Sequence, residues 1–268
     1  MKKNRFVLFI TVFSIIILSC TEQGKEDTDK ERKGWTLVWE EDFDEPLNES
    51  SWTKIPKSKN SRQKFSSKND GLYVNQNKNL VLRGVTNFIA NDTMPFLTGG
   101  VFRECFQRGE KKRVEIKARI NTVADAMPYL SLIPSGGESN ISINLMEQFG
   151  LDEFIYQSVS SEYTTTGRMV DNPPSIVLIG VNPNQYHIYG VEKYQDSLVF
   201  FVDGVRTRKY PRILTELPGQ FPFDDVSFDL HVGVSLSKEA NPVLLPVDMF
   251  IDWVRYYEPK SEPIPVNY

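Results

Sequence analysis

ESNISINLMEQFG, residues 138–150, alternates by twos: Ile141, Ile143 and Leu145 fall on one face and Asn140, Ser142 and Asn144 on the other. That is the pattern of a strand with one buried and one polar side. Glu147 breaks it. Counted from Ser142 it sits at an odd offset and belongs to the apolar face, where an unpaired carboxylate is costly. A β-bulge near Met146 would return it to the polar face, and that is the cheaper arrangement. The stretch therefore predicts a strand over 140–148 that presents Ser142, Asn144 and Glu147 together.

The rest of the chain from Trp35 onward reads the same way. No segment has convincing 3.6-residue periodicity, and short runs rich in Val, Ile, Phe and Tyr are separated by Gly, Pro, Asn and Asp. Strands are predicted over 36–43, 72–75, 79–85, 97–103, 113–121, 127–133, 154–160, 185–192, 197–203, 227–236 and 247–257. LYVNQNKNLVLRG reads as a hairpin about Asn77 and Lys78, and LVFFVDGVRTRKY as another about Asp203-Gly204. The chain has 268 residues, 40% hydrophobic and 25% charged. With no repeat and no internal linker, this predicts one all-β domain over 34–268, two curved sheets packed face to face.

The N-terminus is a different text. Lys2, Lys3 and Arg5 precede an apolar run from Phe6 to Leu18, followed by Ser19 and Cys20. The run is too short for a stop-transfer span and has the n-region and h-region of an export signal. Ile17-Leu18-Ser19-Cys20 resembles a bacterial lipobox, which implies a lipoprotein signal over 1–20, acylation of Cys20 and attachment to a membrane of the cell envelope by lipid rather than by a spanning helix. Residues 21–33, TEQGKEDTDKERK, are polar throughout and predict a flexible tether. Without Lys2, Lys3 and Arg5 the balance is 28 basic against 35 acidic residues, a net charge of about −7, which argues against nucleic acid as a partner. With Cys20 lipidated, Cys105 has no intrachain partner and reads as a small buried hydrophobe. His187 and His231 are the only histidines, so zinc sites of the usual spacings are excluded.

Five segments in order then carry a resemblance: WTLVWEEDFDEPLNESSWTK (35–54), RVEIKARI (113–120), MPYLSLIPSGG (127–137), YHIYGVEKYQDSLVFFVDG (186–204) and LPVDMFIDWVRYYE (245–258). Together with SINLMEQFG they resemble glycoside hydrolase family 16, the laminarinase- and agarase-like enzymes with a concanavalin A-like jelly roll. The likeness runs from Trp35 to Glu258. In that family the catalytic strand reads Glu-x-Asp-x-x-Glu. Laid on this chain, the nucleophile position falls on Ser142, the assisting aspartate on Asn144 and the acid/base on Glu147, so two of three carboxylates are replaced. A retaining glycosidase needs one carboxylate to attack the anomeric carbon and another to protonate the leaving oxygen. Nothing near Ser142 in sequence would activate its hydroxyl. Aromatic or histidine positions of the family's cleft fall on Met127, Ser131, Ser160, Lys193 and Leu236. Tyr129, Tyr156, Tyr163 and Tyr194 offer replacement stacking surfaces. Glu138 reads as a displaced nucleophile or as part of a solvated loop, and His187 as structural. The resemblance places Asp42 and Asp252 either in a structural calcium site or in ordinary strand-end charge; no cofactor is implied for catalysis.

The expectation is an exported, membrane-anchored lipoprotein that binds β-linked polysaccharide through Tyr129, Ser131, Ser160, Lys193 and Leu236, with hydrolysis lost or severely impaired. Two alternatives stand beside it. One is an active endo-glycosidase cutting O-glycosyl bonds of a β-glucan or galactan through Glu147. The other is a structural or assembly lipoprotein without a glycan ligand.

Overall fold

A computed structural model describes residues 30–136, 140–165 and 172–261. The signal, Cys20 and Glu138 lie outside them. In chain order the strands are β1 (Trp35–Glu41), β2 (Thr53–Lys54), β3 (Tyr73–Asn75), β4 (Leu80–Thr86), β5 (Phe96–Thr98), β6 (Gly100–Phe106), β7 (Lys112–Asn121), β8 (Ala126–Pro134), β9 (Ser142–Glu147), β10 (Ile155–Ser160), β11 (Ile176–Ile179), β12 (His187–Lys193), β13 (Ser197–Val202), β14 (Val205–Pro211), β15 (Phe228–Leu236) and β16 (Val247–Pro259). One sheet has the order β14-β13-β12-β7-β16-β4-β3, with β1 on β16 and β5 on β4; the other has the order β11-β10-β9-β8-β15-β6-β2. Every named pair is antiparallel. This is the predicted all-β sandwich.

Alternation builds the interior. Val114, Ile116, Ala118 and Ile120 of β7 face Leu130 and Leu132 of β8, Ile143 of β9, and Leu230, Val232 and Val234 of β15 in one apolar core. Each such Val, Leu or Ile side chain taken out of water contributes roughly 1.5–3 kcal/mol. The opposite parity of β7 carries Arg113, Glu115, Lys117 and Arg119 to the outer face. There Glu115, 1% exposed, accepts from Arg113 Nε at 3.0 Å and from Arg32 Nε at 2.9 Å. Arg113 also pairs with Glu192, which accepts from Tyr194 Oη at 2.6 Å. Arg32 is thus fixed to the sheet, correcting the expectation that the tether runs to residue 33.

Three other differences have local causes. The single strand expected over 97–103 is two strands in different sheets, because the chain turns at Gly99 against the Leu72 carbonyl; a Cβ there would lie 2.7 Å from that oxygen. Strands β2 and β11 are too short for periodicity to reveal. The hairpin turns fall as expected: Asn77 and Lys78 have φ 52° and 59°, and Asp203 and Gly204 have φ 50° and 76°, the left-handed pairs that a two-residue turn between twisted strands requires.

Candidate active-site face

The expected bulge falls on Leu145–Met146. Met146 pairs with Leu130 and Asn144 with Ser131, skipping Leu145, and on the other side Glu147 pairs with Tyr156 and Asn144 with Ser158. Leu145 and Met146 both enter the core, and Glu147 comes back to the same face as Ser142 and Asn144.

That face is not open. Residues 55–67 cross it as a strap, tied at one end by Ile55 N–H to the Gly100 carbonyl (2.8 Å) and at the other by Thr98 N–H to the Phe65 carbonyl (2.8 Å) and Ser67 N–H to the Thr98 carbonyl (3.1 Å). A 3-10 turn over 61–63, capped by the Asn60 side chain on Arg62 N–H, points Arg62 into the sheet. Its guanidinium pairs with Glu147, donates to Ser131 Oγ at 3.3 Å and to Asn144 Oδ1 at 3.4 Å, and lies 5.5 Å over the Tyr129 ring. Ser158 Oγ donates to the other Glu147 oxygen at 2.8 Å and accepts from Asn144 Nδ2 at 2.7 Å. The result is a closed polar cluster: Ser131, Asn144, Glu147 and Ser158 are all at most 7% exposed. Burial pushes the Tyr129 phenol up to about 12, with the Arg62 charge opposing. The ring fits because β15 carries Gly233 beneath it; a Cβ there would stand 2.7 Å from Tyr129 Oη.

Beside Arg62 a groove of about 710 Å³ opens, within the size range of small-molecule sites. Ser142 and Arg62 form one side; Phe102, His231, Ile133 and Ile141 supply apolar walls. Phe102 and His231 stack at 5.1 Å and 13°. Burial lowers the His231 imidazole to about 4, and its Nδ1 has no hydrogen-bond partner. A histidine with a folded pKa below its ordinary 6.5 stabilises the fold only while neutral. Stability is full above 6.5 and falls as the pH drops toward 4, by about 3 kcal/mol. The expected result is a urea midpoint that drops over this window in wild type and drops less in His231→Phe; parallel curves for the two proteins would refute the assignment.

Of the residues expected at the site, Tyr129, Ser131, Ser142, Asn144 and Glu147 come together, and Ser160 joins them through its pairing with Ser142. Two do not. Lys193 lies in β12 of the opposite sheet, fully buried, with Nζ donating to the Glu110 carbonyl at 2.8 Å and Asp224 Oδ1 at 2.9 Å, so it cannot meet a ligand in the groove. Leu236 shares the inward parity of Val232 and Val234 and packs in the core. Among the tyrosines, Tyr156 pairs with Glu147 across β9 and β10, whereas Tyr163 is buried and Tyr194 binds Glu192. His187 is structural, bridging Asp203 (2.7 Å) and the Asn182 carbonyl (3.1 Å).

Asp252 lies 2.6 Å from Lys117 Nζ, and Asp42 accepts the Asp44 N–H at 3.2 Å. Among the described residues no group of three or more His, Cys, Asp or Glu side chains is set to hold a metal ion. A calcium ion takes six to eight oxygens. With one carboxylate already given to an ammonium, this pair does not fit one.

No protein-family model and no curated protein matches the sequence. Solved structures do match. One is from work on the endo-acting O-glycanases that members of the human gut microbiota express to initiate mucin breakdown: 23% identity, 83% of this chain and 99% of that one, TM-score 0.70. A non-specific endo-β-1,3(4)-glucanase from family 16, co-crystallised with a gluco-oligosaccharide, matches at 18% identity over 85% and 96% with a TM-score of 0.71. The catalytic domain of a Thermotoga petrophila laminarinase matches at 20% over 85% and 99%, TM-score 0.69. The fold is the family 16 jelly roll. Among the described residues that line the groove, Asp229 is the one carboxylate. It pairs with Ile133, four residues along β8 from the Tyr129 that pairs with Glu147. At about 3.3 Å per residue the Cα positions of Asp229 and Glu147 are offset by roughly 13 Å along the strands alone.

Proposed function

We propose that this chain is an exported lipoprotein that binds β-linked polysaccharide and no longer hydrolyses it. The observation that carries the reading is Glu147 held by Arg62 and Ser158 beneath the strap while an aromatic-walled groove lies beside it. A general acid must reach the leaving oxygen; here the approach is taken by a guanidinium. A sugar ring stacks on apolar and aromatic walls and hydrogen-bonds at their edges, which is what Phe102, His231 and Ser142 offer.

The test is a glycan array read for both retention and released reducing ends. Retention without release is expected, and Phe102→Ala should weaken it by about tenfold, one stacking face or ~1–1.5 kcal/mol. Release of reducing ends by the wild type would support the endo-glycosidase reading instead. The Arg62 side chain in the middle of the face favours a second reading, an assembly lipoprotein without glycan, and an array with no retained glycan would support it.

The anchor is a separate proposal, resting on Ser19-Cys20 at the end of the apolar run. Cys20→Ala should move the protein out of the membrane fraction or stall its processing. Unchanged partitioning of a correctly processed protein would end the lipobox reading.

A further inference from the structure

Arg62 covers the polar cluster with only a quarter of its own side chain exposed, and it forms a wall of the groove whose lining includes Ser142 but none of Ser131, Asn144, Glu147 or Tyr129. Past that wall the same face continues: Tyr156 stands edge-on to Phe149 at 4.9 Å, and Leu178, which pairs with Tyr156, is 54% exposed. The face therefore has a half-open groove on one side of Arg62 and an open apolar rim on the other, with a charge-paired side chain closing the way between.

We infer that the groove receives the terminal rings of a glycan chain, and that Arg62 is the specificity-determining residue that stops a chain from lying across the whole sheet. This rests on the glycan reading above and deepens it. A groove open at both ends accepts any internal stretch, so binding per chain grows with chain length. A pocket with a closed wall counts chain ends, and binding per chain does not.

Calorimetry with short and long β-1,3- and β-1,4-gluco-oligosaccharides and with laminarin separates the two. For the wild type the Kd per chain should be the same for short and long members of a series within about twofold. Arg62→Ala alone would bury an unpaired carboxylate, so the variant is Arg62→Ala with Glu147→Gln. In it the long member should bind about tenfold more tightly than the short one. Wild-type affinity that climbs with chain length would overturn the chain-end assignment and leave the glycan reading standing, and it needs no variant to be seen. Length-independent binding by both proteins would overturn the role of Arg62. Binding of no sugar by either would overturn the glycan reading itself and this inference with it.

Discussion

Incubated with laminarin, mixed-linkage glucan or agarose, the wild-type protein is expected to release no detectable reducing ends, and adding Ser142→Glu with Asn144→Asp is expected to leave it that way. Both substitutions put carboxylates back on the correct face, since residues 142 and 144 share it with Glu147 across the Leu145–Met146 bulge. Arg62 defeats them. Asn144 already lies 3.4 Å from the guanidinium, so an aspartate there joins the ion pair rather than the reaction. The leaving oxygen still finds Arg62 where it needs a proton donor. Arg62→Ala added to the two substitutions should give the first measurable rate. Three neighbouring carboxylates without a cation favour a proton on one of them, and a positioned general acid contributes about 10²–10⁴-fold. Reducing-end assay of the wild type, the double and triple variants and Glu147→Ala decides it. Robust wild-type hydrolysis abolished by Glu147→Ala would mean that the chemistry had been rearranged rather than lost; activity from Ser142→Glu with Asn144→Asp alone would mean that Arg62 is no obstacle.

Glu115→Ala should cost about 3–5 kcal/mol of folding stability, a range typical of breaking a buried ion pair from one side. Glu115 is the acceptor on which Arg113, Arg32 and the Tyr257 hydroxyl (3.4 Å) converge. Its removal leaves Arg113 on Glu192 alone and Arg32 without this carboxylate. Adding Arg113→Met to Glu115→Ala should deepen the loss, because Glu192, 6% exposed, is then left without its guanidinium partner. Urea titration at neutral pH measures both. A cost below about 1 kcal/mol would show that solvent screens the cluster as it does a surface pair.

The parts of this fold that follow parity are readable in the sequence. β7, β9 and β15 alternate cleanly, and the cost of a core carboxylate was enough to place a bulge before Glu147. The same parity shows why two site residues were misplaced. Lys193 shares its parity with the core residue Val191, and Leu236 with Val234, so both were directed inward by their own strands while the family comparison assigned them to a cleft. His231, with Gly233 and Ser235 on the outer parity of DLHVGVSL, is legible in the same way. Arg62 was not legible. It comes from KSKNSRQK, a polar run with no periodicity, and its role depends on a strap whose ends are tied to Gly100 and Thr98, contacts that lie more than thirty residues away in the chain.

Those ties have a kinetic consequence. The feet of the strap are backbone hydrogen bonds to the sheet, and within it Ser58 N–H bonds the Gln63 carbonyl at 3.2 Å while Ser58 Oγ donates to Gln63 Oε1 at 2.9 Å. Lifting Arg62 therefore requires no strand to unpair. Only residues 56–64 need swing, as one braced loop, and such motions belong to the nanosecond-to-microsecond range. The time for which Glu147 is uncovered is then set by the Arg62 contacts with Glu147, Ser131, Asn144 and the Tyr129 ring, which must be given up together.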